Sequence, residues 1–443
     1  MKTPICDFAQ DYAARSPVRL HTPGHKGQGF LGFETLDITE FSGADDLYSP
    51  TGIIRESEEN ASALFGCPTV YSTEGSSQCI RAMVYLAMIT AKKQGKIPRI
   101  AAARNAHRTF LTAVALLDIE TLWLYPRQAE GYLSCNITAE DLESVFATDA
   151  PPTAVYVTSP DYLGQMADIP SLAEVCHRHG ALRLVDGAHG AYLRFLPQSR
   201  FFIDLGADLC CSSGHKTLPV LTGGAYLHIS ETLYAGLSHQ VKPAMALFGS
   251  TSPSYLILQS LDAANGYLAN CRPEIAEFTR SVADLKEALS GHGYKLIGHE
   301  PWKVTIDAKV YGYTGEEMAM HLENCGIISE FFDPDYLVLM LSPQVGQAGL
   351  IKLEASLLAL AKKAPAPTTP PALKKAVCVC SPREASLSPS RQVPVEESLG
   401  KVLADPGIGC PPAVPILVCG EQIDAHALEV FRYYGIEKVS IID

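Results

Sequence analysis

The sequence predicts an α/β protein with a mostly parallel sheet in a large domain, joined to a small α+β domain and a C-terminal domain. Three observations predict it. Short apolar runs alternate with stretches of helical length between about residues 97 and 229. Each apolar run ends in a polar or glycine-rich cluster, which is where an open α/β sheet gathers its ligand-facing residues. Beyond about residue 290 a shorter strand–helix–strand–helix set appears, and a proline-rich stretch separates it from the C-terminal segment.

The bulk numbers narrow the function classes. A chain of 443 residues exceeds one ordinary core, so two or three domains are expected. With 47% hydrophobic and 19% charged residues it is globular. A net charge of −13 without any lysine/arginine block argues against a nucleic-acid partner and favours cationic small molecules. The 13 cysteines form no CxxC pair, which disfavours a zinc ribbon, and most sit in apolar runs that suit a reducing cytosol. Met1–Asp7 carries no apolar signal segment, and no run is long enough to span a bilayer. A cytoplasmic protein with no membrane partner is expected.

In chain order, residues 1–30 read as a polar, glycine-rich arm. His21-Thr22-Pro23-Gly24-His25-Lys26-Gly27 is a loop, and no acidic or cysteine partner beside its two histidines suggests a metal. Asp45-Asp46-Leu47-Tyr48 is either a solvated turn or an anionic contact for a cationic substrate. A helix over about 52–64 follows. Tyr71-Ser72-Thr73-Glu74-Gly75-Ser76-Ser77-Gln78 then leads into a helix over about 79–93. Free N–H groups, hydroxyls and the positive helix end make this start either an anion site or a plain N-cap.

Residues 97–125 read as β-α-β, with His107 just past the first strand. The strand Thr153–Thr158 ends near Asp161, and a helix over 171–179 follows it. Leu182–Val185 ends in Asp186-Gly187-Ala188-His189, and Asp208–Ser212 runs into Ser213-Gly214-His215-Lys216. A further strand over 223–228 is expected to be antiparallel. The domain boundaries read as 1–30 for the arm, 31–265 for the large domain and 266–363 for the small α+β domain. A linker over 364–376 and a C-terminal domain over 377–443 complete the chain.

Lys216 lies between small residues and a histidine, after a cysteine-bearing apolar run. A half-buried lysine is the usual nucleophile toward an aldehyde cofactor. The strand-end clusters supply, in order, a phosphate-binding helix start, a histidine whose ring can stack, an aspartate and this lysine. That set is what a pyridoxal-phosphate site requires: anchor the phosphate, cover the ring, keep its nitrogen protonated, hold the aldehyde.

With these residues assembled, the chain resembles the Orn/Lys/Arg decarboxylases, of the fold-type-I (aspartate aminotransferase-like) pyridoxal-phosphate enzymes, in their compact bacterial form. The resemblance rests on His21–Gly27, Asp45-Asp46-Leu47, and Ser213–Pro219 with Leu221-Thr222-Gly223-Gly224-Ala225. It extends to Ser250–Tyr255, Gly312–Gly315, Leu341-Ser342-Pro343, and Pro411–Pro415 with Gly420-Glu421.

The resemblance implies pyridoxal 5'-phosphate as cofactor and decarboxylation of arginine, lysine or ornithine to a polyamine-related amine. It implies that Lys216 holds the aldehyde, Asp186 faces the ring nitrogen and His107 covers the ring. Gly75, Ser76, Ser213 and His215 would meet the phosphate, and Ser77 would shape that loop. His189 would lie near the cofactor hydroxyl and the substrate. Lys216 or His215 would return a proton to Cα. Ser250 or Thr251 would reach the other subunit's phosphate in a homodimer or dimer of dimers.

Asp45, Asp46, Glu74, Asp161 and Glu421 are candidates for the substrate's distal charge. Ala413-Val414 stands where the family has Gly-Ile, and Cys419 replaces a proline. Residues 1–30 hold no response-regulator-like wing domain, so a decamer is not expected. The competing readings are another pyridoxal-phosphate lyase, a decarboxylase of a non-basic amino acid, or a homologue without turnover. The presence of Lys216, Asp186 and His107 argues against the last.

Overall fold

The computed structural model describes residues 1–443 apart from 127–130, 367–369, 408 and 411–413, and of residues 409 and 410 the backbone alone. Pro411-Pro412-Ala413 and part of the proline-rich stretch therefore lie outside the described residues. The chain forms two compact units, one of residues 1–95 with 182–276, the other of 96–181 with 277–443.

Seven principal strands follow in chain order: β1 (Thr69–Ser72), β2 (Arg99–Ala103), β3 (Glu120–Leu124), β4 (Ala154–Thr158), β5 (Leu182–Asp186), β6 (Leu209–Ser213) and β7 (Ala225–Ile229). The first unit holds the order β1-β7-β6-β5. There β5 and β6 are parallel, while β7 runs antiparallel to both β6 and β1. The second unit holds β4-β2-β3, all parallel. These strands are short, apolar and mostly buried, as strands covered on both faces must be. In the first unit the helix Gly75–Lys93 packs over β6 and β7. In the second, Phe110 of the helix Arg108–Leu117 stacks on Tyr156 of β4 at 4.2 Å between ring centroids.

Within the arm of residues 1–30, Pro4–Ala14 is a helix whose Ile5, Ala9 and Tyr12 share one buried face. Its start has no local cap. Instead, Asp262 Oδ2 accepts the N–H groups of Ile5 (2.9 Å) and Cys6 (3.0 Å), which the first turn leaves unpaired. The helix after β1 begins at Gly75, four residues before the expected start. Glycine and serine are poor in a helix interior but tolerated in its first turn.

Further along the second unit, β8 (Leu296–Ile297), β9 (Lys303–Asp307), β10 (Phe331–Phe332) and β11 (Tyr336–Met340) form an antiparallel sheet of order β10-β11-β9-β8. The helix Gly346–Leu358 ends before Leu360 and Ala361. The carbonyls of Leu360 and Ala361 instead accept the hydroxyls of Tyr311 (3.0 Å) and Tyr313 (2.7 Å). Near the C-terminus, β12 (Ser390–Pro394) pairs with β15 (Lys438–Ile442), and β13 (Gly409–Cys410) with β14 (Val414–Pro415). Their core joins Val393, Ile416, Phe431 and Ile441 to Leu133, Leu163 and Val338. Buried Arg104 ties this segment down by donating to the carbonyls of Pro415 (2.7 Å) and Ile416 (2.9 Å).

Candidate active site

Three strand ends of the first unit carry the candidate chemistry. At the end of β1 the chain turns into the helix start. Gly75 has φ +69°, a conformation that L side chains rarely adopt, and donates its N–H to Gly223 O at 2.7 Å. A Cβ on Gly75 would meet nothing within 4 Å, so the backbone faces open space there. Buried Ser72 braces the turn by accepting the N–H of Glu74 (3.1 Å) and donating to Gln78 Oε1 (2.6 Å). Gln78 in turn donates to Tyr48 Oη (2.9 Å) and Met245 O (2.8 Å). Ser76 and Ser77 sit half-buried in the first helical turn. Exposed Glu74 accepts the N–H of Ser250 at 3.3 Å, and Ser250 and Thr251 are exposed on the following segment.

Asp186 ends β5 and is buried. Its Oδ1 accepts the N–H of Ala188 (3.2 Å) and the thiol of Cys211 (3.5 Å). Gly187 must be glycine, because a Cβ there would overlap the Phe202 ring and lie 2.9 Å from Cys211 O. Two residues on, buried His189 places Nε2 2.9 Å from Lys216 Nζ.

β6 ends at Ser213, which donates its N–H to Ala188 O (3.2 Å), and the chain then makes one helical turn, Gly214–Thr217. His215 Nδ1 lies 3.1 Å from Gly224 O; a carbonyl only accepts, so Nδ1 carries a proton. The turn brings half-buried Lys216 to His189. Ser213 Oγ is buried with no hydrogen-bond partner among the described residues, as are Ser212 Oγ and Thr217 Oγ1. Buried hydroxyls are normally paired. Cys211 and Ser213 are two apart on β6 and so face the same side, the side of Asp186. An unpaired hydroxyl there, with open space before Gly75, fits a phosphate-bearing cofactor and its oxygen acceptors.

His107, Asp161 and Glu421 belong to the second unit. His107 caps the helix after β2, its Nδ1 accepting the N–H of Thr109 at 3.1 Å. Burial pushes the Asp161 carboxyl up to about 6, against the pull of the Ser134 hydroxyl (2.6 Å) and the Gln165 N–H (2.9 Å). Buried Glu421 accepts the N–H of Val418 (2.8 Å) and lies 3.6 Å from Arg104. In the first unit Asp45 accepts the N–H groups of Thr51, Gly52 and Ile54, the start of the helix Ile53–Phe65. Partial burial raises its carboxyl, but the backbone N–H groups of Thr51, Gly52, Asp46 and Arg55 together outweigh it and the net shift is downward. Asp46 accepts from Tyr48 and Ser49 in a turn. His21 pairs with Tyr12 Oη (2.6 Å) and His25 with Asp37 (3.1 Å). The Ser72–Gln78 brace and the Cys211 thiol were not singled out by sequence. Gln78 stands one turn after Gly75, which was the available signal.

This fold is that of the fold-type-I pyridoxal-phosphate enzymes. Lysine decarboxylase A from Pseudomonas aeruginosa superposes with a TM-score of 0.79 at 16% identity, covering 99% of this chain and 80% of that one. The family model described as Orn/Lys/Arg decarboxylase, major domain, matches residues 3–349, and the chain belongs to the Orn/Lys/Arg decarboxylase family. It is 30% identical to an arginine decarboxylase of Halalkalibacterium halodurans over 97% of this chain and 93% of the relative. It is 28% identical to an arginine decarboxylase of Bacillus subtilis, over 95% and 91%.

Proposed function

We propose that this chain is a pyridoxal-phosphate-dependent decarboxylase of a basic amino acid, with arginine first, then lysine and ornithine. The observation that carries the reading is the meeting of Lys216 with His189 beside the unpaired Ser213 hydroxyl and the buried Asp186 carboxylate. Similarity to arginine decarboxylases of comparable length supports putting arginine first.

Ser213, His215 and the N–H groups around Gly75 and Ser76 would hold the phosphate, with Ser77 shaping the loop. Asp186 would keep a proton on the ring nitrogen, His107 would cover the ring, and Lys216 would hold the aldehyde. Pyridoxal phosphate supplies the electron sink that accepts the pair left when a carboxylate departs as CO2. At 2.9 Å a Lys216 ammonium donates to His189 Nε2, so this pair can pass a proton between them. Lys216 or His215 would return the proton to Cα.

Asp45, Asp46, Glu74, Asp161 and Glu421 remain the set for the substrate's distal cation, with Glu74 and Asp46 the exposed members. Ser250 and Thr251 would serve the phosphate of a partner subunit in a homodimer or dimer of dimers. A cytoplasmic setting agrees with the free thiols of every described cysteine. Among the described residues no helix is long and apolar enough to cross a membrane. The test is release of labelled CO2 from carboxyl-labelled arginine, lysine and ornithine by the cofactor-loaded protein. Release from at least one is expected, and release from none would overturn the reading.

A further inference from the structure

Asp186 and Cys211 stand directly opposite each other on the parallel strands β5 and β6. Both are buried, and the thiol lies 3.5 Å from Asp186 Oδ1. That oxygen also accepts the Ala188 N–H at 3.2 Å. Two donors on one oxygen fix the rotation of a short side chain. A buried cysteine is ordinarily a small hydrophobe. This one differs because register, not chance packing, sets its sulfur against a carboxylate.

We propose that Cys211 is a positioning residue for Asp186: its thiol donates to Oδ1 and turns the carboxylate toward the cofactor's ring nitrogen. The donor is permanent, because burial and the neighbouring Asp186 hold the thiol protonated far above its ordinary range. Cys79, on the helix Gly75–Lys93, is the other thiol whose charge couples to Asp186, and burial pushes it up to about 12. Neither thiol therefore adds a negative charge beside the carboxylate at working pH. The positive end of the S–H dipole offsets part of the carboxylate's charge, so Cys211 tunes how tightly Asp186 holds a ring proton as well as where it points.

The inference rests on the proposed role of Asp186 at the ring nitrogen. The test uses the full-length chain, stripped of cofactor and titrated with pyridoxal phosphate, comparing wild type, Cys211→Ala, Cys211→Ser and Asp186→Ala. Readouts are the dissociation constant, the pH midpoint of the bound cofactor's visible absorbance, and the melting temperature without cofactor. Cys211→Ala should weaken binding roughly 2- to 10-fold, the worth of one hydrogen bond, and move the midpoint upward. Cys211→Ser, which keeps a donor, should restore both. If Cys211→Ala does not fold, Cys211→Val replaces it as the variant of similar size without a donor. Wild-type binding and midpoint in the donor-free variant would overturn the proposal. So would equal losses in the serine and donor-free variants with an unmoved midpoint. Asp186→Ala separates the two layers: wild-type affinity there defeats the assignment of Asp186 itself, whatever Cys211 does.

Discussion

Removing the Ser213 hydroxyl should move two measurements in opposite directions. In the protein alone Ser213 Oγ is buried and unpaired among the described residues, which costs about 1–3 kcal/mol. Ser213→Ala deletes that atom and leaves a cavity smaller than a methyl group. The cofactor-free protein should gain about 1 kcal/mol and melt about 2–4 °C higher. With the cofactor, the same hydroxyl would donate to a charged phosphate, an interaction of about 1.5–3 kcal/mol. Binding of pyridoxal phosphate should weaken roughly 10- to 100-fold. The assay is thermal melting of the stripped protein together with a cofactor titration followed by visible absorbance. A lower melting temperature with unchanged affinity would refute the reasoning, since it would make the hydroxyl part of the fold and not of the site.

Gly187→Ala should cost about 1–3 kcal/mol by overpacking against the Phe202 ring and the Cys211 carbonyl, and should displace Asp186; melting and cofactor absorbance check both. Asp262→Ala should destabilise the protein by about 2–4 kcal/mol, because Ile5 N–H, Cys6 N–H and the Ser57 hydroxyl lose one shared carboxylate. Hydrogen exchange should then rise first over residues 4–14. Burial lowers the His228 imidazole to about 3, below the 6.5 of an unfolded chain. Its contribution to stability is therefore present above about pH 6.5 and is lost as pH falls toward 3, so resistance to denaturant should fall across that window, and less so in His228→Gln.

The strand ends of the candidate site were legible because one apolar run, one polar cluster and one following turn are local patterns. Asp186 closes β5 and Ser213 closes β6 because the strands stop where burial stops being apolar. Lys216 became a candidate through the company it keeps in the sequence. The helix Pro4–Ala14 was not legible, because its capping carboxylate is Asp262, more than 250 residues away in sequence. Cys211 reads as one more apolar residue until the β5–β6 register sets it against Asp186. The acidic candidates were visible as acids, but not their local duties. Nothing in Asp45-Asp46 announces that Asp45 would take the backbone N–H groups of Thr51, Gly52, Ile54 and Arg55 around the start of the next helix. Glu421 likewise gives no sequence sign of facing Arg104.

The central claim is that Lys216 is the residue that carries the cofactor. Borohydride reduction of the loaded protein followed by peptide mass mapping tests it directly. The account predicts a reduced pyridoxyl-phosphate adduct on the peptide bearing Lys216, absent in Lys216→Ala, with CO2 release lost in the same variant. An adduct on a different lysine, or turnover that survives Lys216→Ala, would contradict it.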